Sequence, residues 1–270
     1  MRSTTTKIDL YIILSALILA LVILVLFWAL NRGEAPTFRS SLPSPTSMEK
    51  PAGSETPANS IKREQSTVAH QGLTKLIEPS IVNALVFGDY IAESRGSSNK
   101  DLSSWYGLVA NDLHSKYSGT IQWHFKTEAG ATINDVLKSV PEATSDTDLI
   151  VLCLGRNDSS RIRLTEFKKK YEQLLVELKA KSPYTNLFLV VEPPFKTSLE
   201  NNRYFPYRKI ILDLGQKYQI PVIDQWTSFI NDSTPLSGLL VDNADPNDKG
   251  YRLFADTVLK GFEGYLMPAY

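Results

Sequence analysis

The pattern of apolar and polar positions divides the chain into three stretches. From Leu10 to Leu30 the run LYIILSALILALVILVLFWAL holds 21 residues without a charge. As a helix rising 1.5 Å per residue it covers roughly the 30 Å hydrocarbon core of a bilayer, so the pattern predicts a transmembrane helix over 10–30. A cleaved signal peptide is the alternative reading. Its apolar core is usually about 7–15 residues and ends at a small-residue cleavage site, which this run lacks. From 31 to 72 apolar periodicity disappears, and stretches such as PTFRSSLPSPTSMEKPAGSETPANS are rich in Ser, Thr and Pro. That composition buries too little apolar surface to offset the entropy of ordering, which predicts a disordered linker that tethers the C-terminal portion of the chain.

From 73 to 270 short apolar runs alternate with longer amphipathic ones. IVNALVFGD, TIQWHFKTE, DLIVLCLG, NLFLVVEPP and IPVID read as five strands, several too continuously apolar to have a wet face. SSWYGLVANDLHSKY, TINDVLKSV, TEFKKKYEQLLVELKAKS, RYFPYRKIILDLGQKY and NDKGYRLFADTVLKGFEGYL read as helices. In the third, Phe167, Tyr171, Leu174, Leu175 and Leu178 recur at helical spacing. Strands alternating with helices imply right-handed crossovers, hence one α/β domain with a mostly parallel five-stranded sheet and helices on both faces.

Charge adds little to this picture. There are 29 basic and 29 acidic residues, which removes any electrostatic case for nucleic acid. Arg2 and Lys7 before the span against Arg32 after it, offset by Glu34, give a modest signal for residues 1–9 as a short cytoplasmic tail. The folded domain is then expected outside the cytoplasm, at the cell membrane. The lone cysteine, Cys153, lies in the apolar run LIVLCL and indicates no disulfide framework. Lys168, Lys169 and Lys170 fall on the polar face of their helix, where solvation accounts for them.

Ligands of an open parallel sheet bind beyond the carboxyl ends of the strands. Four segments lie there: Phe87-Gly88-Asp89-Tyr90; Glu128-Ala129-Gly130-Ala131-Thr132; Gly155-Arg156-Asn157-Asp158; and Asp242 through Tyr251 before the last helix. Each alone is ordinary turn or capping chemistry. In this order they resemble the four blocks of the SGNH/GDSL hydrolase family, from Val82 to Phe262. The family pattern is Gly-Asp-Ser-Leu after the first strand, a glycine after the second, Gly-x-Asn-Asp after the third and Asp-x-x-His-Pro-Asn before the last helix. Gly155-Arg156-Asn157-Asp158 is the most specific match, and Pro246, Asn247, Gly250 and Tyr251 fit the closing block. The resemblance implies a three-layer, flavodoxin-like fold.

In that family the serine attacks an acyl carbonyl, the histidine takes its proton, the aspartate orients the histidine, and the glycine and asparagine help form the oxyanion hole. Carried over residue by residue, Tyr90 stands at the serine position, Asp245 at the histidine position and Asp242 at the orienting aspartate, while Gly130 and Asn157 remain as oxyanion-hole or ligand-binding donors. Both chemical centres are replaced. A phenol ionises only near about pH 10, and its ring fills space meant for the acyl group. A carboxylate beside Asp242 raises the pKa of one of the two rather than shuttling a proton.

Substitutes are scarce. His70 lies in the linker, His114 on a surface helix, and His124 six residues before Gly130, roughly 20 Å along the strand at 3.3 Å per residue. Ser94 is the nearest hydroxyl that could be recruited. Asp89, Asp158, Asp242 and Asp245 could hold Ca²⁺ or Mg²⁺ if all faced one cleft, or could serve as loop and capping groups. The resemblance, taken with the replaced residues and the apolar span, implies a membrane-anchored, extracytoplasmic domain that has lost its chemistry and binds a glycan, ester or protein ligand in or near the old cleft, with no metal or cofactor. An active hydrolase or acyltransferase of envelope glycans or lipids with an unusual nucleophile is the alternative.

Overall fold

The computed structural model describes residues 70–266. The tail, the span and nearly all of the linker expected from the sequence lie outside them. No helix among the described residues is long and apolar enough to cross a membrane.

All five expected strands form: β1 Ile81–Gly88, β2 Thr120–Thr127, β3 Leu149–Cys153, β4 Asn186–Val191 and β5 Val222–Asp224. They pair in the order β2-β1-β3-β4-β5, and every pairing is parallel. The main helices are α1 Trp105–His114, α2 Ile133–Ser139, α3 Leu164–Lys181, α4 Ser198–Tyr218, α5 Gln225–Asn231 and α6 Asp248–Leu266.

Strand alternation sorts the core into two layers. Val82, Ala84 and Val86 of β1, Leu149, Val151 and Cys153 of β3, and Phe188 and Val190 of β4 face one side, where α1 and α6 cover them. Leu85, Phe87, Ile150, Leu152, Leu187, Leu189 and Val191 face the other, under α2, α3 and α4. The three central strands are therefore apolar on both faces, which is why their runs are continuous in sequence. β2 is an edge strand and alternates, with Ile121, Trp123 and Phe125 turned to the core.

Two helices depart from the expected pattern. α4 starts at Ser198 instead of near Arg203, leaving Pro206 in its interior. The extra turn is held at its start by Asn201, whose side chain donates to the Phe195 carbonyl and accepts from the Phe195 amide, both at 2.8 Å. α5 follows β5 directly, with Asp224 accepting from the Thr227 amide as its cap. Its seven residues are too short for a clear periodic signal.

β1 and β3 are adjacent, yet the chain leaves β1 for β2 on one side and returns to β3 on the other. The crevice at this reversal is where an open parallel sheet offers its ligand site. Gly88 is level with both Thr127 and Cys153. The loops after β1, β2 and β3 therefore leave the sheet at one height and meet above it.

Candidate functional site

Two glycines let these loops close together. Gly130 has φ +68°, a left-handed conformation that a side chain disfavours, and the Arg161 guanidinium lies 3.0 Å from where a Cβ would sit. Arg161 in turn donates to the Gly130 carbonyl at 2.6 Å. Gly155, with φ +135°, turns the chain sharply out of β3, and a Cβ there would press on Ile211 at 3.1 Å.

The result is a cleft of about 310 Å³ that Tyr90, Gly130, Asn157, Asp242 and Asp245 all line, together with Asp89, Arg95, Arg156 and Phe195. The five residues singled out from the sequence thus share one cavity. Their geometry is not that of a nucleophile and base. The Arg95 guanidinium lies over the Tyr90 ring, 4.4 Å from its centroid, and its Nε is 3.8 Å from Asp245 Oδ2. One cation thus lies against both Tyr90 and Asp245. Asp242 is exposed and turned onto its own loop, its Oδ1 accepting from the amides of Ala244 at 2.7 Å and Asp245 at 2.8 Å. These two bonds hold its carboxyl below the usual aspartate range. Burial, and then the nearby Asp242, pushes Asp245 up.

Asn157, expected to offer its amide to a ligand, donates from Nδ2 to Asp89 Oδ2 at 2.5 Å. Asp89 Oδ1 accepts from the Ile91 amide at 2.9 Å. The aspartate therefore ties the loop after β1 to the loop after β3. Burial raises its pKa against the opposing pull of the Ile91 amide, Arg156 and Asn157.

Residues that the sequence pattern did not single out complete the site. Arg156, only 4% exposed, donates from Nη1 to the Ala244 carbonyl at 3.0 Å and lies over the Phe195 ring, 3.7 Å from its centroid. Beneath it Glu192, just past β4 and fully buried, accepts from the Arg156 backbone amide through Oε2 at 2.8 Å. Its Oε1 has no hydrogen-bond partner among the described residues. Burial, and then Asp89, drives the Glu192 carboxyl well above the glutamate range. Glu192 ends an apolar run in NLFLVVEPP, and an acid just past a buried strand is the one signal that would have found it.

The other candidates fall elsewhere. Asp158 turns beneath the cleft, fully buried, with Oδ1 accepting from the Ile133 amide at 2.9 Å at the start of α2. Burial raises its pKa to about 7. Asp245 does not cap α6; Asn247 does, accepting from the Gly250 amide at 3.0 Å. Among the described residues no group of three His, Cys, Asp or Glu side chains converges to hold a metal ion. Ser94 is fully buried in a left-handed conformation with φ +57°, its hydroxyl accepting from the Trp105 amide at 3.2 Å, and is closed to an ester. His124 lines a different pocket of about 430 Å³ beside Asn83, Lys126 and Glu142. That pocket is larger but carries none of the four motifs.

Among solved structures, Axe2, an acetylxylan esterase from Geobacillus stearothermophilus, is 17% identical with a TM-score of 0.57, over 67% of this chain and 94% of that one. A lipase/acylhydrolase from Enterococcus faecalis is 19% identical with a TM-score of 0.57, over 70% and 99%. A member of the lipolytic protein G-D-S-L family from Veillonella parvula is 20% identical with a TM-score of 0.54, over 67% and 98%. At such identities the likeness speaks for the fold alone. No curated protein matches the sequence. The model of the GDSL-like lipase/acylhydrolase family matches residues 86–253, more than half of the chain, and with the four motif loops gathered around one cleft the chain belongs to that family.

Proposed function

We propose that this is a non-catalytic member of its family, a domain that binds a polar ligand in the cleft and is held at the cell envelope by the apolar helix expected over Leu10–Leu30. The observation that carries this reading is Arg95, whose guanidinium lies against both the Tyr90 ring and the Asp245 carboxylate. A serine triad works because a hydroxyl hydrogen-bonds an imidazole whose other nitrogen is held by a carboxylate. Here a phenol faces a permanent cation, and a guanidinium cannot accept its proton. Asp245 faces that same cation, 3.8 Å from its Nε. Asp242 is engaged with its own backbone.

The test is a panel of acyl esters, acetylated glycans first because of the acetylxylan esterase among the structural relatives, together with a phosphonofluoridate probe on the full chain in detergent. The expected result is neither turnover nor labelling. Ester turnover abolished by Tyr90→Phe, or stoichiometric labelling of Tyr90, would refute the non-catalytic reading in favour of a hydrolase or acyltransferase with a tyrosine nucleophile.

A further inference from the structure

Arg95 and Arg156 reach the cleft from different loops, and each lies over an aromatic ring, Tyr90 and Phe195 respectively. A guanidinium held over a ring is fixed in place and less hydrated, while its N–H edge stays available. Each carries five such N–H donors. Among the described residues they make one side-chain hydrogen bond between them, from Arg156 Nη1 to the Ala244 carbonyl. Arg95 reaches Asp245 only at 3.8 Å, beyond hydrogen-bond range, and its side chain is 60% exposed.

Arg156 is the more demanding case. It is 4% exposed, yet among the described residues no carboxylate lies within ion-pair distance of its guanidinium. Asp89, Glu192 and Asp245 all feel its charge, but none pairs with it directly: Glu192 meets its backbone amide, and Asp89 is bonded to Asn157 and Ile91. A buried charge is tolerated when a partner answers it. The cleft supplies the place for that partner from outside.

We propose that the cleft receives an oxyanion, a carboxylate or phosphate group on a polar ligand, between Arg156 and Arg95. This rests on the reading that the cleft binds without turning over. Planar forks of donors match both kinds of oxyanion in bidentate fashion. Asp245 competes with such a ligand for Arg95, and Asp242 at the rim adds a second negative charge.

Calorimetric titration of the full chain in detergent micelles with sodium phosphate, with glucuronate and with neutral glucose tests it. The expected result is saturable binding of at least one anion and none of glucose, the two anion arms showing which oxyanion fits. Arg95→Gln, at an exposed position that tolerates change, should weaken that affinity by about tenfold, and Arg156→Gln by at least as much. Asp245→Asn should strengthen it. Absence of saturable anion binding, equal binding of glucose, or unchanged affinity in folded Arg95→Gln would overturn the proposal. The ester panel reads the non-catalytic assignment separately, so loss of one does not masquerade as loss of the other.

Discussion

Tyr90 and Asp245, which the motif alignment sets against the family's serine and histidine, both lie against Arg95. On the non-catalytic reading, building a triad here requires more than one exchange. Tyr90→Ser combined with Asp245→His should give weak hydrolysis of a nitrophenyl ester and labelling at the new serine, with almost none in either single variant, because triad members act as a unit. Adding Arg95→Ala should raise that activity by removing the cation that lies against both positions. An inactive but folded triple variant would show that Asp242, held by the Ala244 and Asp245 amides, cannot turn to orient the base. Asp158 makes a different prediction at the same scale. Its folded pKa of about 7 lies above an aspartate's ordinary 3.8. Below the lower value both folded and unfolded states keep the proton, and above the upper value both have lost it. Between them only the folded state holds it, so stability falls as pH rises through this window. At 1.36 kcal/mol per unit the full cost is about 4 kcal/mol as an upper bound. Asp158→Asn keeps an oxygen for the Ile133 amide and has no charge to bury. Urea midpoints of this variant should therefore decline less than wild type between about pH 4 and 7. Parallel curves would rule this out. Asp89 and Glu192, raised in the same direction, leave a residual slope in the variant.

Helix α1 is the element that fixes the loop carrying Tyr90 and Arg95. Trp105 at its start is fully buried; its indole packs edge-on against Trp123 of β2 with centroids 5.2 Å apart, and lies tilted against Phe254 of α6 at 5.6 Å. Its Nε1 donates to the Ala92 carbonyl at 2.8 Å and its amide to Ser94 Oγ at 3.2 Å. One residue thus joins a helix, the edge strand, the last helix and the site loop. Trp105→Ala should cost about 3–5 kcal/mol in denaturant unfolding. Trp105→Phe keeps most of the apolar contact but leaves the Ala92 carbonyl unpaired. It should cost about 1–3 kcal/mol and speed amide exchange across 91–95 more than elsewhere. Uniform exchange in Trp105→Phe would show that the loop is held by something else. The longer helices and the edge strand were legible in the sequence because each buries a periodic stripe, and the central strands because their apolar runs are continuous. The early start of α4 was not, since its first turn is held by the reciprocal bonds of Asn201 with Phe195, which no periodicity announces.

For the whole molecule, the chain joins the domain at the end of the sheet opposite the cleft. The Leu73 amide donates to Asn186 Oδ1 at 2.6 Å, and Asn186 is the first residue of β4, whereas the cleft lies beyond the last residues of the strands. If Leu10–Leu30 is an uncleaved anchor, the full-length protein should stay in the membrane fraction at full mass, with its C-terminal domain digested by protease added to intact cells. A soluble form beginning near Gly33 would show cleavage instead. The sequence by itself determined the layered sheet, the two-faced burial of its central strands, and the four loops at their carboxyl ends. Periodicity states which side chains are buried, and handed crossovers leave few ways to order the strands. Only the tertiary structure decided what the cleft contains. Arg95, Arg156, Phe195 and Asp245 come from loops up to 150 positions apart, and Asp89 takes the amide that Asn157 was expected to offer a ligand. Ser94, close to Tyr90 in sequence, is turned into the core by its left-handed backbone, while Asp158, next to Asn157, points under the cleft. Charge and hydrogen bonding act through space over a few ångströms, and the distances that govern them exist only once the loops have met.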